Sequence, residues 1–250
     1  METFSYITRD NVGYLTLERP AVYNAVDRNM LEELHQFWLD RMEDEDTRVI
    51  VMDGGNAKGF CAGLDMTTLG QEIFAMSRTQ AYNAQARLSR LLLAMRRVPQ
   101  PIITCIHGAA AGLGFSFAMA SDIRIVSDDA RFSAAYINIG LGGADMASSY
   151  FLPRLIGSGR ANEFLLTGNW MSADDAMALG FASRKVGRGA IKETAEALAR
   201  TMVSKDPLGL RMTKEALNIN IDAGGLEAVL QMEDRNQMMI LFTHRMSPKS

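Results

Sequence analysis

Strands and helices alternate along the first two thirds of the chain, and this alternation constrains the fold more than any other feature. Short apolar runs typical of buried strands occur at Val49 to Met52 and Ile102 to Ile106, and Asp122 to Val126 is predicted to be a further strand. Between the first two, Gln80 to Arg97 has apolar residues at helical spacing and ends at prolines. The alternation predicts a mostly parallel sheet with crossover helices.

The rest of the chain is predicted to be helical. Residues 109 to 120 are small and apolar throughout, which favours a helix packed on all sides. From Ser148 onward the pattern is almost wholly helical, with an amphipathic stripe between Ile191 and Met202. We therefore predict two parts, an α/β core at residues 1–188 and a helical C-terminal part at residues 189–250.

Composition and charge exclude several classes of function. The 250 residues are 48% hydrophobic and 22% charged, and the net charge of -3 comes from interspersed charges. No basic face is expected, so nucleic acid is not a predicted partner. No apolar run approaches about 18 residues and the first residues do not resemble a signal peptide, so we predict a cytoplasmic protein without a membrane partner. Neither the two cysteines nor the three histidines have metal-ligand spacing, so no metal site is expected.

Two loops follow buried strands and contain small residues. The first is FCAGLD at Phe60 to Asp65, and the second is HGAAAGLGFSFAMASD at His107 to Asp122. The first amides of a helix lack intrahelical partners and carry a partial positive charge, so they stabilise an oxyanion. If the loops are adjacent, amides near Ala62 and Gly114 could converge on one oxygen. From spacing alone, tight turning and close helix packing explain the glycines as well.

The order of several motifs resembles the crotonase superfamily, the enoyl-CoA hydratase/isomerase family. The motifs that carry the resemblance are LERPAVYNAV, KGFCAGLDM, PQPIITCIHGAAAGLG, LPRLIG and LTGNWMSADDAMALGFASRKV. The resemblance implies a ClpP-like spiral of ββα units, with C-terminal helices that form a homotrimer or a dimer of trimers. It also implies an acyl-CoA thioester substrate and no separate cofactor, because coenzyme A is part of the substrate.

The resemblance further assigns residues to this site. The thioester carbonyl would accept hydrogen bonds from the amides of Ala62 and Gly114, which would form an oxyanion hole. Asp65 is expected to organise the first loop rather than to react. The remaining residues expected to contact the CoA thioester are Ala21, Val22, Tyr23, Ala25, Gly63, Leu64 and Met66.

Both catalytic glutamates of a typical hydratase are replaced. Their positions align with Ser116 and Tyr136, and neither residue is a general base near neutral pH without help. One carboxylate remains in this region, Asp145, which is either catalytic or a cap or turn residue before the next helix. The segment AYINIGLGGADMASSY is also similar to 4-chlorobenzoyl-CoA dehalogenases, in which an aromatic donor accompanies a nucleophilic aspartate. Tyr136 and Asp145 would take these places, but the dehalogenase histidine has no match.

Three functions therefore remain open. The first is an enoyl-CoA hydratase/isomerase-type enzyme in which Asp145 is the acid/base and Tyr136 and Ser116 orient water or substrate. The second is a hydrolase or dehalogenase-like enzyme with Asp145 as nucleophile. The third is an inactive acyl-CoA-binding homologue. Solvent exchange of α-protons, a trapped adduct on Asp145, and binding without turnover would distinguish them.

Overall fold

The computed structural model describes residues 1–246, which form nine strands and ten α-helices. The strands are β1 (Phe4–Arg9), β2 (Val12–Leu17), β3 (Val49–Asp53), β4 (Ile102–Ile106), β5 (Ala109–Ala111), β6 (Ile123–Ser127), β7 (Arg131–Ser133), β8 (Met171–Ser172) and β9 (Arg184–Val186). The helices are α1 (Arg28–Arg41), α2 (Leu69–Ala75), α3 (Arg78–Arg97), α4 (Leu113–Ala120), α5 (Ser148–Ile156), α6 (Ser158–Thr167), α7 (Ala173–Ala178), α8 (Ile191–Val203), α9 (Pro207–Asn220) and α10 (Leu226–Met246).

A six-stranded sheet with the order β1-β2-β3-β4-β6-β9 forms the centre of the fold. Strand β1 is antiparallel to β2, and every other neighbouring pair in this sheet is parallel. The predicted α/β class and the mostly parallel sheet are confirmed. A second sheet, β5-β7-β8, has three short strands.

The main sheet is buried on both faces, which explains why its central strands are continuously apolar. In β3, Ile50 and Met52 pack into the cluster that contains the buried residues of α1 and α3. Val49 and Val51 point to the other face and pack into the cluster that contains Ile191 of α8. The sheet therefore fixes the ends of β3 and β4, from which the two loops emerge.

The expected helix over residues 109–120 is wrong in its first part. Ala109–Ala111 is strand β5, which pairs in parallel with Arg131–Ser133, and only Leu113–Ala120 is helical. The chain changes direction at Gly112, whose φ of 52° lies in the left-handed region that favours glycine. Alanine is compatible with both helix and strand, so pairing with β7 rather than composition decides which of the two forms here.

The region after Ser148 is also less uniformly helical than expected. Strand β9 pairs with β6 and completes the main sheet, while β8 pairs with β7. Helix α8 lies within the predicted C-terminal part, yet it packs against the main sheet through Ile191, Ala195 and Ala199. The division at residue 188 stays a prediction. No helix within residues 1–246 is long and apolar enough to cross a membrane.

Candidate active site

The two loops after β3 and β4 lie side by side, as the sequence predicted. Phe60 N–H donates to the His107 carbonyl at 2.8 Å, and Cys61 N–H donates to the Ala109 carbonyl at 3.2 Å. In return, Ala111 N–H donates to the Cys61 carbonyl at 3.0 Å. The first loop thus pairs with the second directly before the start of α4.

Glycines allow this close approach. A Cβ added at Gly114 would collide with the carbonyl oxygen of Cys61. A Cβ added at Gly63 would lie 2.7 Å from the Ala111 carbonyl oxygen and 3.2 Å from the Leu113 nitrogen, and Gly63 has a φ of 95°. Both glycines are therefore required by the contact between the loops, and Gly63 also by its backbone conformation.

Of the two amides predicted as oxyanion donors, that of Gly114 is free in the described part of the chain but that of Ala62 is not. Ala62 N–H donates to the Tyr23 carbonyl at 3.0 Å, so this amide is engaged within the protein and the prediction that it is an oxyanion donor is wrong. Leu64 N–H has no acceptor within residues 1–246, and the same holds for the amides of Leu113 and Gly114 at the start of α4. Leu64 follows Gly63, which contacts the α4 N-terminus. The amides able to stabilise an oxygen are therefore Leu64 on one loop and Leu113 or Gly114 on the other.

Sequence reasoning placed Leu64 among the binding residues but missed its amide as a donor. The pairing of Val26 with this loop decides which amides are free: Val26 N–H donates to the Gly63 carbonyl at 2.7 Å, and Asp65 N–H donates to the Val26 carbonyl at 2.9 Å. These bonds alternate along the loop and leave the intervening Leu64 amide unpaired. No local sequence signal shows which amides a distant strand segment will bind.

The predicted CoA-contacting turn packs directly against the first loop. Pro20–Val22 forms one turn of 3-10 helix, and the bond between Tyr23 and Ala62 joins it to the loop. The side chains of Val22, Tyr23 and Met66 are exposed apolar groups. Ala21 is exposed as well, whereas Ala25 is buried and its carbonyl accepts a hydrogen bond from the Arg19 guanidinium. An exposed apolar surface therefore borders the paired loops.

Asp65 holds the first loop in place, as expected. Its carboxylate accepts hydrogen bonds from the hydroxyl of Thr67 at 2.7 Å and from the amide of Thr67 at 3.1 Å, and Arg19 lies 3.5 Å away. Burial raises the pKa of Asp65, but these hydrogen bonds and the Arg19 charge outweigh it and hold the pKa below its usual value. A carboxylate whose oxygens are engaged by the protein in this way has a structural role.

Ser116 and Tyr136, which the resemblance places at the positions of the two glutamates, are in contact. The Ser116 hydroxyl lies 3.1 Å from the Tyr136 hydroxyl, and the Tyr136 ring packs beside Gly112 at the start of α4. Burial raises the pKa of Tyr136 above its ordinary value, and the charge of Asp145 adds to the rise. Tyr136 therefore stays protonated near neutral pH and can donate a hydrogen bond.

Asp145 is a partly buried carboxylate held on one side. Its Oδ1 accepts hydrogen bonds from the Met146 amide at 2.8 Å and from the side chain of Gln85, on α3, at 2.6 Å. Oδ2 receives no hydrogen bond from any residue that the structure describes. Burial raises the pKa of Asp145 above its usual value, and the two hydrogen bonds oppose this rise. A desolvated carboxylate with one free oxygen is suited to general base or nucleophilic chemistry.

Asp145 is not the N-cap of the next helix. Ala147 occupies that position without a side-chain cap, and the Asp145 carboxylate binds the amide of Met146 instead. Met146 and Ala147 have positive φ values of 46° and 63°, which non-glycine residues rarely adopt. Such strain is found where the surrounding structure imposes a geometry, often at functional sites. The strained turn directly follows Asp145 and holds its carboxylate through the Met146 amide.

No three His, Cys, Asp or Glu side chains among residues 1–246 are grouped so that they could hold a metal ion.

Comparison with known proteins identifies chains of the same type. The family model described as "Enoyl-CoA hydratase/isomerase" matches residues 8–249. "Probable enoyl-CoA hydratase EchA12" of Mycobacterium tuberculosis is 34% identical over 93% of this chain and 82% of its own length. "(E)-benzylidenesuccinyl-CoA hydratase" of Thauera aromatica is 30% identical over 96% of this chain and 95% of its own. A crystal structure of enoyl-CoA hydratase from Mycobacterium smegmatis is 30% identical, covers 99% of this chain and 93% of its own, and has a TM-score of 0.88.

Proposed function

Because the chain belongs to the enoyl-CoA hydratase/isomerase family of the crotonase superfamily, we propose that it acts on an acyl-CoA thioester with Asp145 as its acid/base. The hydratase/isomerase-like type of enzyme follows from the family. The reacting residues and the reaction are the proposal. The observation that carries it is the Asp145 carboxylate, which has one tethered and one free oxygen and lies near the Tyr136–Ser116 pair.

In the proposed mechanism, the thioester carbonyl lies between the two loops. Leu64 N–H donates from one side, and Leu113 or Gly114 N–H donates from the start of α4. Negative charge develops on this oxygen when the substrate becomes an enolate, so amides that are already oriented stabilise the transition state more than the ground state. One such donor is typically worth about 2.7 to 4 kcal/mol.

Asp145 supplies the proton transfer that the two glutamates supply elsewhere in the family. Its free Oδ2 takes a proton from water or from the carbon next to the thioester, and the protonated acid then returns it to the product. The pKa of Asp145 is raised by burial, which is the direction that favours general acid–base catalysis near neutral pH. Tyr136 and Ser116 orient water or substrate through their hydroxyls.

A second candidate is nucleophilic attack by Asp145, which forms an anhydride with the thioester carbonyl as the CoA thiolate leaves, or an ester with the ring carbon of a 4-halobenzoyl group as halide leaves. The free, partly desolvated Oδ2 also favours this chemistry, since a carboxylate oxygen without donors is more nucleophilic. The covalent intermediate would be hydrolysed by water, which leaves one solvent oxygen on either Asp145 or the product.

A labelling experiment separates these mechanisms. The protein is incubated in ¹⁸O-labelled water with enoyl-, 3-hydroxyacyl-, cyclic β-ketoacyl- and 4-halobenzoyl-CoA thioesters, and products and peptides are read by mass spectrometry. Acid/base chemistry leaves Asp145 unlabelled in every case: hydration puts label in the product, whereas proton transfer at the carbon next to the thioester adds no ¹⁸O and instead exchanges the α-protons with solvent. Label on the peptide that carries Asp145 after turnover would replace the acid/base mechanism with the nucleophilic one.

Asp145→Asn should lower turnover about 100-fold or more, because proton transfer by a positioned side chain contributes about 10² to 10⁴-fold. The matched control is Asp128→Asn, which changes an exposed aspartate paired only loosely with Lys185 at 3.8 Å. Turnover should be unchanged in the control. Full activity of Asp145→Asn would refute the proposal, and tight thioester binding without turnover by the unmodified protein would indicate an inactive binding homologue.

A further inference from the structure

Gln85 reaches Asp145 from a distant part of the chain. It lies on α3, 60 residues before Asp145, and its amide nitrogen Nε2 is 2.6 Å from Asp145 Oδ1. Helix α3 is anchored at its start by a capping box between Ser77 and Gln80, and it buries Leu88 one turn after Gln85. The donor is therefore carried by a fixed element rather than by a loop.

The two oxygens of Asp145 have different surroundings. Oδ1 accepts from Gln85 and also from the Met146 amide at 2.8 Å, so two donors from separate elements converge on the same atom. Oδ2 has no donor among residues 1–246. Two hydrogen bonds to one oxygen fix the plane of the carboxylate and leave the other oxygen free to react.

We propose that Gln85 is a positioning residue, which holds Oδ1 so that Oδ2 of Asp145 is the reacting oxygen. This inference rests on the proposed function, because it assigns Gln85 to the proposed acid/base. Gln85 does not touch the reacting atoms itself. It acts through the orientation of Asp145 and through the balance between the charged and neutral forms of that carboxyl group.

The electrostatic surroundings let Gln85 influence the balance between the charged and neutral forms of Asp145. Tyr136 is the titratable group that interacts with Asp145, and its raised pKa keeps it neutral. Within the described chain, no Lys, Arg or His forms an ion pair with Asp145. The Asp145 charge therefore depends on neutral donors, of which Gln85 is the one supplied by a side chain. A hydrogen bond to the ionised form lowers the pKa of an acid.

Gln85→Leu tests the proposal through the pH dependence of the protein. Removal of the donor should raise the pKa of Asp145 further by about one unit, since the ionised form loses a charge-assisted hydrogen bond. The acidic limb of the kcat/KM profile should move to higher pH by the same amount. The carboxyl titration should show the same shift without substrate, by infrared difference spectroscopy of aspartate labelled with ¹³C, assigned by comparison with Asp145→Asn.

Gln85→Glu is the second variant, and it should move the titration in the same direction by more. Two adjacent carboxyl groups share a proton, which strongly raises the pKa at which the pair loses its second proton. The matched control is Gln36→Leu, because Gln36 Nε2 donates to Asp40 Oδ1 at 2.7 Å in an exposed pair on α1. The control should leave the kcat/KM profile and the Asp145 titration unchanged.

The outcomes separate this inference from the proposed function. If both Gln85 variants fold, as judged by circular dichroism, and neither moves the Asp145 titration, Gln85 is not a positioning residue. If only Gln85→Glu folds, an unchanged Asp145 titration in that variant shows that Gln85 is not a positioning residue. If the titration moves as expected but Asp145→Asn retains full turnover, Gln85 still controls the carboxyl group while the proposed acid/base role fails.

Discussion

At the scale of single residues, glycines set the distance between the two loops. Gly114 is the second residue of α4, and an added Cβ would meet the backbone carbonyl of Cys61, which cannot rotate away. Cys61 N–H is itself bonded to the second loop. Any side chain at position 114 therefore forces the loops apart at the place where the free amides lie.

Gly114→Ala should destabilise the protein by about 1 to 3 kcal/mol, as overpacking of a rigid contact does, and should also lower kcat. The control is Gly142→Ala, since a Cβ there meets no atom within 4 Å and its φ lies outside the left-handed region. Urea unfolding monitored by circular dichroism gives the free energy of unfolding of each variant. Equal stability of Gly114→Ala and the unsubstituted protein would show that the contact can relax.

At the scale of elements, a buried cation helps to attach α9 to the core. Lys214 is 4% exposed, and its Nζ donates to the Gln100 carbonyl at 2.6 Å and lies 3.0 Å from Asp122 Oδ2. Asp122 also pairs with Arg96 of α3 at 3.0 Å. Burial lowers the pKa of Lys214, and the adjacent Asp122 carboxylate opposes this. The network connects α9, α3 and the start of β4, and it sets where the C-terminal helices leave the core.

Lys214→Met should lower the free energy of unfolding by about 1 to 3 kcal/mol, because the Gln100 carbonyl loses its buried donor. Methionine keeps most of the aliphatic length, so the change tests the charge and the hydrogen bonds rather than the volume. Hydrogen exchange should show lost protection in α9, residues 207–220. Lys205→Met, at an exposed lysine just before α9, is the control and should leave the exchange of α9 unaltered.

At the scale of the whole molecule, α10 leaves apolar surface uncovered in the single chain. The helix packs against α9, and its exposed apolar side chains include Leu226, Leu230, Met238, Met239, Leu241 and Phe242. A 21-residue helix with this much exposed apolar surface is unusual for a monomer. The homotrimer or dimer of trimers predicted from the sequence remains a prediction, and α10 is the surface on which we expect it to depend.

Sedimentation equilibrium should give three or six times the chain mass of 27.5 kDa. Leu230→Glu should shift the protein toward smaller species, because a charge buried at an interface is strongly disfavoured. Gln231→Glu places the same carboxylate at the next exposed position of α10 and should leave the mass unchanged. A monomeric mass for the unsubstituted protein would contradict the predicted assembly.

The class of fold and a candidate position for the site could be predicted from the sequence alone. Apolar runs such as Ile102–Ile106 predicted the buried strands, because a parallel sheet covered on both faces requires continuous apolar residues. The small residues after two such strands predicted the paired loops. The resemblance also predicted that Ser116 and Tyr136 replace the usual carboxylates and that Asp145 is the remaining candidate.

The features that depend on contacts between distant parts of the chain could be seen only in the tertiary structure. Ala109–Ala111 became a strand because Arg131–Ser133 pairs with it, although alanine also suits a helix. The Ala62 amide is bonded to the Tyr23 carbonyl. The Leu64 amide is free within the described residues, because Val26 binds the residues on either side of it. Gln85 reached Asp145 from another helix. Every residue except proline has the same backbone N–H group, so the residue type does not show whether that group is paired. A hydrogen bond between residues 60 positions apart also leaves no local sequence pattern, so only the folded chain shows which groups are paired and which are free.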